Sequence, residues 1–234
     1  RVLLGKKIFD FPKPIKLLIK LFSSFHKKDS IILDFFAGSG TTLHAAMQLN
    51  NEDGGNRQCI MVTNNENNIC EEVTYERNKR VIQGYTNAKD VKVEGLTKNN
   101  LRYYKTDFVK SQKSQENKRQ LTALSTQLLC IKEDCYTELT AKFALNENQA
   151  KIFTNNQGKY LVVVYYSRQQ LQVYEQLISV IQDISDASEK IKLYAFSPEK
   201  ETLVEDFIEV ADKIDAVPLP DAIYNTYRAT FRAI

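Results

Sequence analysis

The chain has 234 residues, enough for one large or two modest domains. Hydrophobic residues make up 43% and charged residues 26%, ordinary globular values; no membrane-length apolar run is present and no signal peptide is expected. The net charge of +3 is uneven: residues 1–28 hold eight Lys or Arg against one acid, Asp10. That end suits a polyanion, or equally a solvated helix face beside Leu17, Leu18 and Leu21.

In chain order, Phe11-Pro12-Lys13-Pro14 predicts an extended entry and then a helix from Ile15 to about Phe25. Ile31 to Asp34 reads as a fully apolar, central strand. A small-residue loop, Ala37-Gly38-Ser39-Gly40, leads into a helix from Thr41 to about Leu49 and then the turn-rich NNEDGGNR. Cys59 to Thr63 is the next strand and Asn68 to Tyr85 the next helix, with a third strand expected in KVEGL or LRYYKTDFV. This alternation argues for a doubly wound parallel sheet.

The polar run KSQKSQENKRQ marks a boundary near residues 110–120. Beyond it the sequence predicts a helix at Leu121–Lys132, a hairpin from Lys151 through Asn155-Asn156-Gln157-Gly158 into KYLVVVYY, and a helix at Gln169–Gln182. The strand KIKLYAF, a helix at Glu201–Ala211 and a tail with Pro218 and Pro220 complete the chain. The spacing of Leu171, Tyr174, Leu177, Ile178 and Ile181 marks one apolar helix face, a core rather than a site. Residues 101–234 carry 17 basic and 18 acidic side chains, with no basic signature for DNA.

The segment Ile31–Thr42 holds the chemistry. Glycines admit dihedrals that other residues resist and let a ligand approach the backbone. A helix N-terminus offers unpaired N–H groups and partial positive charge to an anion. No Lys follows Gly40, which excludes a Walker loop, and G-x-G-x-x-G is also absent. A tight strand–helix turn without a ligand is the structural alternative. Cys59, Cys70, Cys130 and Cys135 show no CxxC spacing and no neighbouring His, so zinc is not expected and a reduced cytosolic setting is the simplest account. Cys59 reads as a small core residue. His26 and His44 are isolated, and His44 is expected on a helix surface.

The string Asp34-Phe35-Phe36-Ala37-Gly38-Ser39-Gly40-Thr41-Thr42 resembles motif I of the amino-group DNA methyltransferases. FDFPKPIKLLIKLF, Phe9 to Phe22, resembles their motif X. Cys59 to Tyr85 resembles the strand and helix after motif I in the modification (Mod) subunit of type III restriction-modification systems. These three blocks cover about the first 105 residues; LRYYKTDFV and KIKLYAFS match the C-terminal region of such subunits more loosely.

The resemblance implies an α/β fold: residues 1–110 as part of a Rossmann-like, S-adenosylmethionine-dependent methyltransferase sheet, and 111–234 as a smaller α/β domain, read as serving assembly, with a plain structural appendage as the alternative. It places the methionine part of S-adenosylmethionine against Asp34–Gly40, held by backbone N–H groups and the hydroxyls of Ser39, Thr41 and Thr42, with Lys13 and Pro14 flanking. The family's ribose-binding acid has no strict counterpart, because that position reads Thr63 or Asn64. Glu66 and Asn64 are the candidates, and a plain polar turn over Asn64–Asn68 is the alternative.

The family's D/N-P-P-Y/F/W motif grips the target amine, and no Pro-Pro pair exists in the chain. The chain starts at Arg1, just before motif X, so the catalytic motif is expected upstream in a longer protein. The implied function is adenine-N6 methylation of double-stranded DNA by a bacterial cytoplasmic enzyme, a homodimer joined by a restriction subunit, with no membrane partner. Cytosine-N4 methylation and a non-catalytic assembly module on a degenerate fold are the alternatives.

Overall fold

The computed structural model describes residues 13–25, 27–87, 89–110, 112, 114–165, 170–197 and 202–231. Phe9 to Pro12, His26, Tyr166 and Glu201, all used in the sequence reading, lie outside them. The chain divides into two compact units, 1–106 and 107–234, and both mix helices and strands.

The first unit opens with α1, Ile15–Ser23. Pro14 precedes it with φ −64° and ψ 127°, the extended geometry that places a proline at a helix start. The helix packs on α2 yet keeps Leu17 and Leu21 half exposed. Strand β1, Ile31–Asp34, leads through α2, Thr41–Asp53, into β2, Gln58–Met61, and the two strands pair in parallel. Helix α2 runs four residues beyond the expected Leu49. Gly54 stops it in the left-handed region at φ 68°, and Asn50 and Asp53 bond Arg57 beyond the turn.

β1, expected as a fully apolar, central strand, pairs only with β2 among the described residues. Ile31 is 64% exposed and Leu33 52%. Side chains alternate across a strand, and Leu33 pairs with Ile60, so Ile31, Leu33 and Ile60 share one bare apolar face.

Beyond β2, a single-turn 3₁₀ segment, Glu66–Asn68, meets a π-helical segment, Ile69–Tyr75, which continues as α3, Glu76–Gln83. The sequence predicted one uniform helix here. Asn67 and Asn68 both take left-handed dihedrals, and Asn65 Oδ1 accepts from the N–H groups of Cys70 and Glu71, so the chain restarts at Ile69. The expected third strand is cut to two residues and does not join the β1–β2 sheet. KVEGL supplies only β4, Lys92–Val93, antiparallel to β3, Tyr85–Thr86. LRYYKTDFV forms no strand; Tyr103 instead sets its ring edge against Tyr75 and donates to Glu71.

The second unit is a three-layer α/β/α arrangement. Helix α4, Gln115–Glu133, starts six residues before Leu121, because Ser114 Oγ accepts from Asn117 N at 3.1 Å and recruits the polar run into the first turns. A Ser114→Ala variant is expected to lose about 1 kcal/mol of this unit's stability, readable by urea unfolding.

Strands β5 (Thr137–Glu138), β6 (Ala150–Thr154) and β7 (Tyr160–Tyr165) are antiparallel. Helix α5, Gln170–Asp183, crosses to β8, Ile191–Phe196, which lies parallel to β7 and to β9, Ile214–Ala216. β7 is buried on both faces, as its unbroken apolar run requires. One face packs Val162, Val164 and Leu193 against Leu177 and Ile181 of α5 and against Phe207.

The other face packs Leu161, Val163, Tyr194 and Phe196 against Leu129 of α4 and Tyr227 of α6, Asp221–Phe231. α6 replaces the expected tail: Pro218 and Pro220 precede a helix start, and Tyr227 is fully buried with its hydroxyl on Phe196 O. Two smaller features also depart from expectation. The segment Glu205–Val210 is 3₁₀ rather than α, interrupted at Phe207 (φ −120°). Leu171 is 77% exposed, and Val173 and Val180 share the buried face of α5 with Tyr174, Leu177 and Ile181.

Candidate functional site

The loop Phe35–Gly40 lies at the carboxyl end of β1, and the turn from Val62 to Asn68 at the carboxyl end of β2. Parallel pairing places both on one edge, where ligands bind in open α/β sheets. Two backbone bonds tie them: Val62 N to Asp34 O at 2.7 Å, and Ala37 N to Val62 O at 3.2 Å.

Asp34 organises the loop from within. Its Oδ1 accepts from Phe36 N at 3.0 Å and its Oδ2 from the Thr42 hydroxyl at 2.5 Å, so the carboxylate bridges the strand end to the first turn of α2. Gly38 and Gly40 take φ 50° and 70°, which glycine alone adopts without strain. The N–H of Gly40 closes the turn on Ala37 O at 2.8 Å. The N–H groups of Gly38, Ser39 and Thr41 meet no acceptor among the described residues. They stand at the N-terminus of a 13-residue helix, with its partial positive charge.

The sequence expected the hydroxyls of Ser39, Thr41 and Thr42 to face a ligand; in the structure each of them bonds within the protein. Thr42 serves Asp34. Ser39 and Thr41 are buried, 2.9 Å apart hydroxyl to hydroxyl, and both accept from Arg77 Nη1, at 3.1 and 2.8 Å. The backbone N–H groups of Gly38, Ser39 and Thr41 are the donors this loop leaves without an acceptor among the described residues. Phe35 and Phe36 are exposed, 62% and 92%, and Ala37 is buried.

Lys13 and Pro14 sit exposed at the start of α1, without a hydrogen bond to the loop. Asn64 and Glu66 are exposed and face each other, Nδ2 to Oε2 at 3.5 Å. The structure thus gathers Asp34 to Thr42 into one element and puts Asn64 and Glu66 on the adjacent turn.

Residues that the sequence reading passed over complete the site. Thr74, Arg77 and Asn78 share one face of the helical segment after β2. Thr74 Oγ1 donates to Gly38 O at 2.6 Å, Arg77 Nη1 to Ser39 O at 3.3 Å, and Asn78 Nδ2 to Gly40 O at 3.2 Å. A polar trio at i, i+3, i+4 amid Val73 and Val81 is the signal that would have found them. His44 is corrected too: it is buried on α2, and desolvation, then the neighbouring Arg77 charge, pull its pKa down to about 4. Burial also lowers the pKa of Arg77, and no carboxylate pairs with it among the described residues. Burial and then Asp34 push the Cys59 thiol up to about 12, so it is no nucleophile.

Residues 4–76 match the DNA methylase family. The chain is 56% identical over 61 residues to the Mod subunit of the type III restriction-modification enzyme StyLTI of Salmonella typhimurium, covering 26% of this chain and 9% of that protein. It is 42% identical over 82 residues to the type II methyltransferase M.KpnI of Klebsiella pneumoniae, covering 35% and 20%. It is 50% identical over 64 residues to the EcoPI Mod subunit of Escherichia phage P1, covering 27% and 10%. The chain thus spans a fifth or less of the length of these relatives.

Proposed function

We propose, from the kinship of residues 4–76 with the DNA methylases, that this chain is the cofactor-holding part of a site-specific DNA methyltransferase, a type III modification subunit acting on adenine N6. The observation that carries the reading is the glycine loop: two left-handed glycines, three unpartnered N–H groups and a helix N-terminus on the carboxyl edge of parallel strands. That donor set fits the methionine carboxylate of S-adenosylmethionine, which when bound supplies a sulfonium methyl group. Gly38, Ser39 and Thr41 bind through the backbone, Asp34 and Thr42 hold the loop shape, and exposed Phe35 and Phe36 offer apolar surface to the adenosine. In this reading Asn64 and Glu66, exposed on the adjacent turn, bind the ribose hydroxyls.

The strand pair β1–β2 is then one segment of a doubly wound sheet, and the bare face of Ile31, Leu33 and Ile60 is where a covering layer belongs. In this reading residues 111–234 serve assembly. They carry no basic cluster, and the enzyme works in the cytoplasm on double-stranded DNA, as a homodimer bound to a restriction subunit.

With no Pro-Pro pair in the sequence, the chain by itself is expected to transfer no methyl group. Aligning the acceptor amine accounts for several kcal/mol of such a reaction, roughly 7–11 at best. The full-length protein is expected to label adenine N6 in a tritiated-methyl assay, and calorimetry is expected to show one S-adenosylmethionine per chain. Label on cytosine N4 would move the assignment to the other amino-methylating class. No binding would leave the assembly reading.

A further inference from the structure

The carbonyl oxygens of Ala37, Gly38, Ser39 and Gly40 are all taken, whereas the N–H groups of Gly38, Ser39 and Thr41 are not. Three successive ones, on Gly38, Ser39 and Gly40, accept from Thr74, Arg77 and Asn78 respectively. The π-helical turn sets this register. Thr74 Oγ1 also reaches back five residues to Ile69 O at 3.1 Å, and Asn78 Nδ2 reaches Thr74 O at 2.8 Å. Such turns concentrate at functional sites. The fit is close: a Cβ on Gly40 would stand 2.4 Å from Asn78 Nδ2 and 3.0 Å from Thr74 Cγ2.

Arg77 does more than bond. It is nine-tenths buried, its Nη1 meets Ser39 and Thr41, and its Nε has no partner. The titratable groups interacting with it are His44, held neutral, and Tyr85. A buried, unpaired guanidinium is costly, so such a group calls for a physical reason. Here it lies against the first residue of α2, where it adds a full positive charge to the helix dipole.

We infer that Thr74, Arg77 and Asn78 are positioning residues: they hold the three loop carbonyls so that the N–H groups stay free, and Arg77 makes the loop selective for a carboxylate-bearing ligand. The selectivity half rests on the cofactor reading above; the clamp half does not.

Two measurements on the full-length protein separate them. Without ligand, amide hydrogen exchange at Gly40 and His44, whose N–H groups bond carbonyls of this loop, and at Ala37, which bonds Val62 O, is expected to accelerate at least about tenfold in Thr74→Val and Arg77→Gln. Unchanged exchange in both overturns the clamp, and Thr74→Val keeps that test open should Arg77→Gln not fold. With ligand, S-adenosylhomocysteine is compared with its analogue lacking only the carboxylate, S-adenosyl-3-thiopropylamine. Arg77→Gln is expected to weaken the first about tenfold or more and the second less than about threefold, while Arg77→Lys keeps most of the difference. Equal weakening of both, or of neither, overturns the selectivity. If the wild type binds neither nucleoside, the cofactor reading fails and the exchange data alone decide the clamp.

Discussion

A Gly38→Leu variant of the full-length protein is expected to lose S-adenosylmethionine binding by at least about a hundredfold, with its fold retained. At φ 50° a side chain bears a left-handed strain of about 1–2 kcal/mol. A branched side chain there also crowds the point where the N–H groups of Gly38 and Ser39 are offered. Losing two charge-assisted hydrogen bonds is worth about 1.5–3 kcal/mol each. Gly40→Ala is the informative companion, since its methyl group would meet Asn78 and Thr74 rather than a ligand. That variant is expected to lose both binding and roughly 1–3 kcal/mol of stability. Calorimetry showing undiminished binding in Gly38→Leu would remove the loop from the site altogether.

Acid is expected to destabilise the first unit through His44. Its folded pKa of about 4 lies below the ordinary 6.5, because burial and then Arg77 disfavour the imidazolium. Above pH 6.5 neither the folded nor the unfolded state carries that proton. As pH falls from 6.5, the unfolded chain takes it up while the folded chain does not, so stability drops until about pH 4 and then levels. The full loss amounts to roughly 3 kcal/mol. Urea unfolding measured from pH 7 to pH 4.5 is expected to show most of it in the wild type. The His44→Gln variant, with no group to titrate, is expected to lack that component. Identical pH slopes for the two proteins would show that His44 titrates normally when folded.

Much of the site is legible in the sequence because its elements are local. An apolar run ending in Asp34, two glycines and a helix start lie within twelve residues, and short-range rules suffice to place them. The hairpin β6–β7 and helix α5 are equally local, set by an Asn-Asn-Gln-Gly turn and an apolar stripe. Helix α6 escaped because prolines punctuate both tails and helix starts, and what holds it is Tyr227 against a distant strand. LRYYKTDFV shows the same limit: its apolar and aromatic residues need a partner edge to form a strand, and Tyr103 meets Tyr75 instead.

By itself, then, the sequence determined the turn that presents N–H groups, since glycine dihedrals and helix termini are properties of the chain over a few residues. Only the tertiary structure decided which polar groups of the loop bond within the protein and which keep no acceptor among the described residues. Ser39 and Thr41 look available as letters, but Arg77, 36 to 38 residues away, takes their hydroxyls. His44 looks like a surface histidine, but the packing that buries it brings a cation alongside and keeps it neutral. Hydrogen-bond partnership and desolvation depend on what the folded chain brings within a few ångströms, and no window of sequence contains that distance.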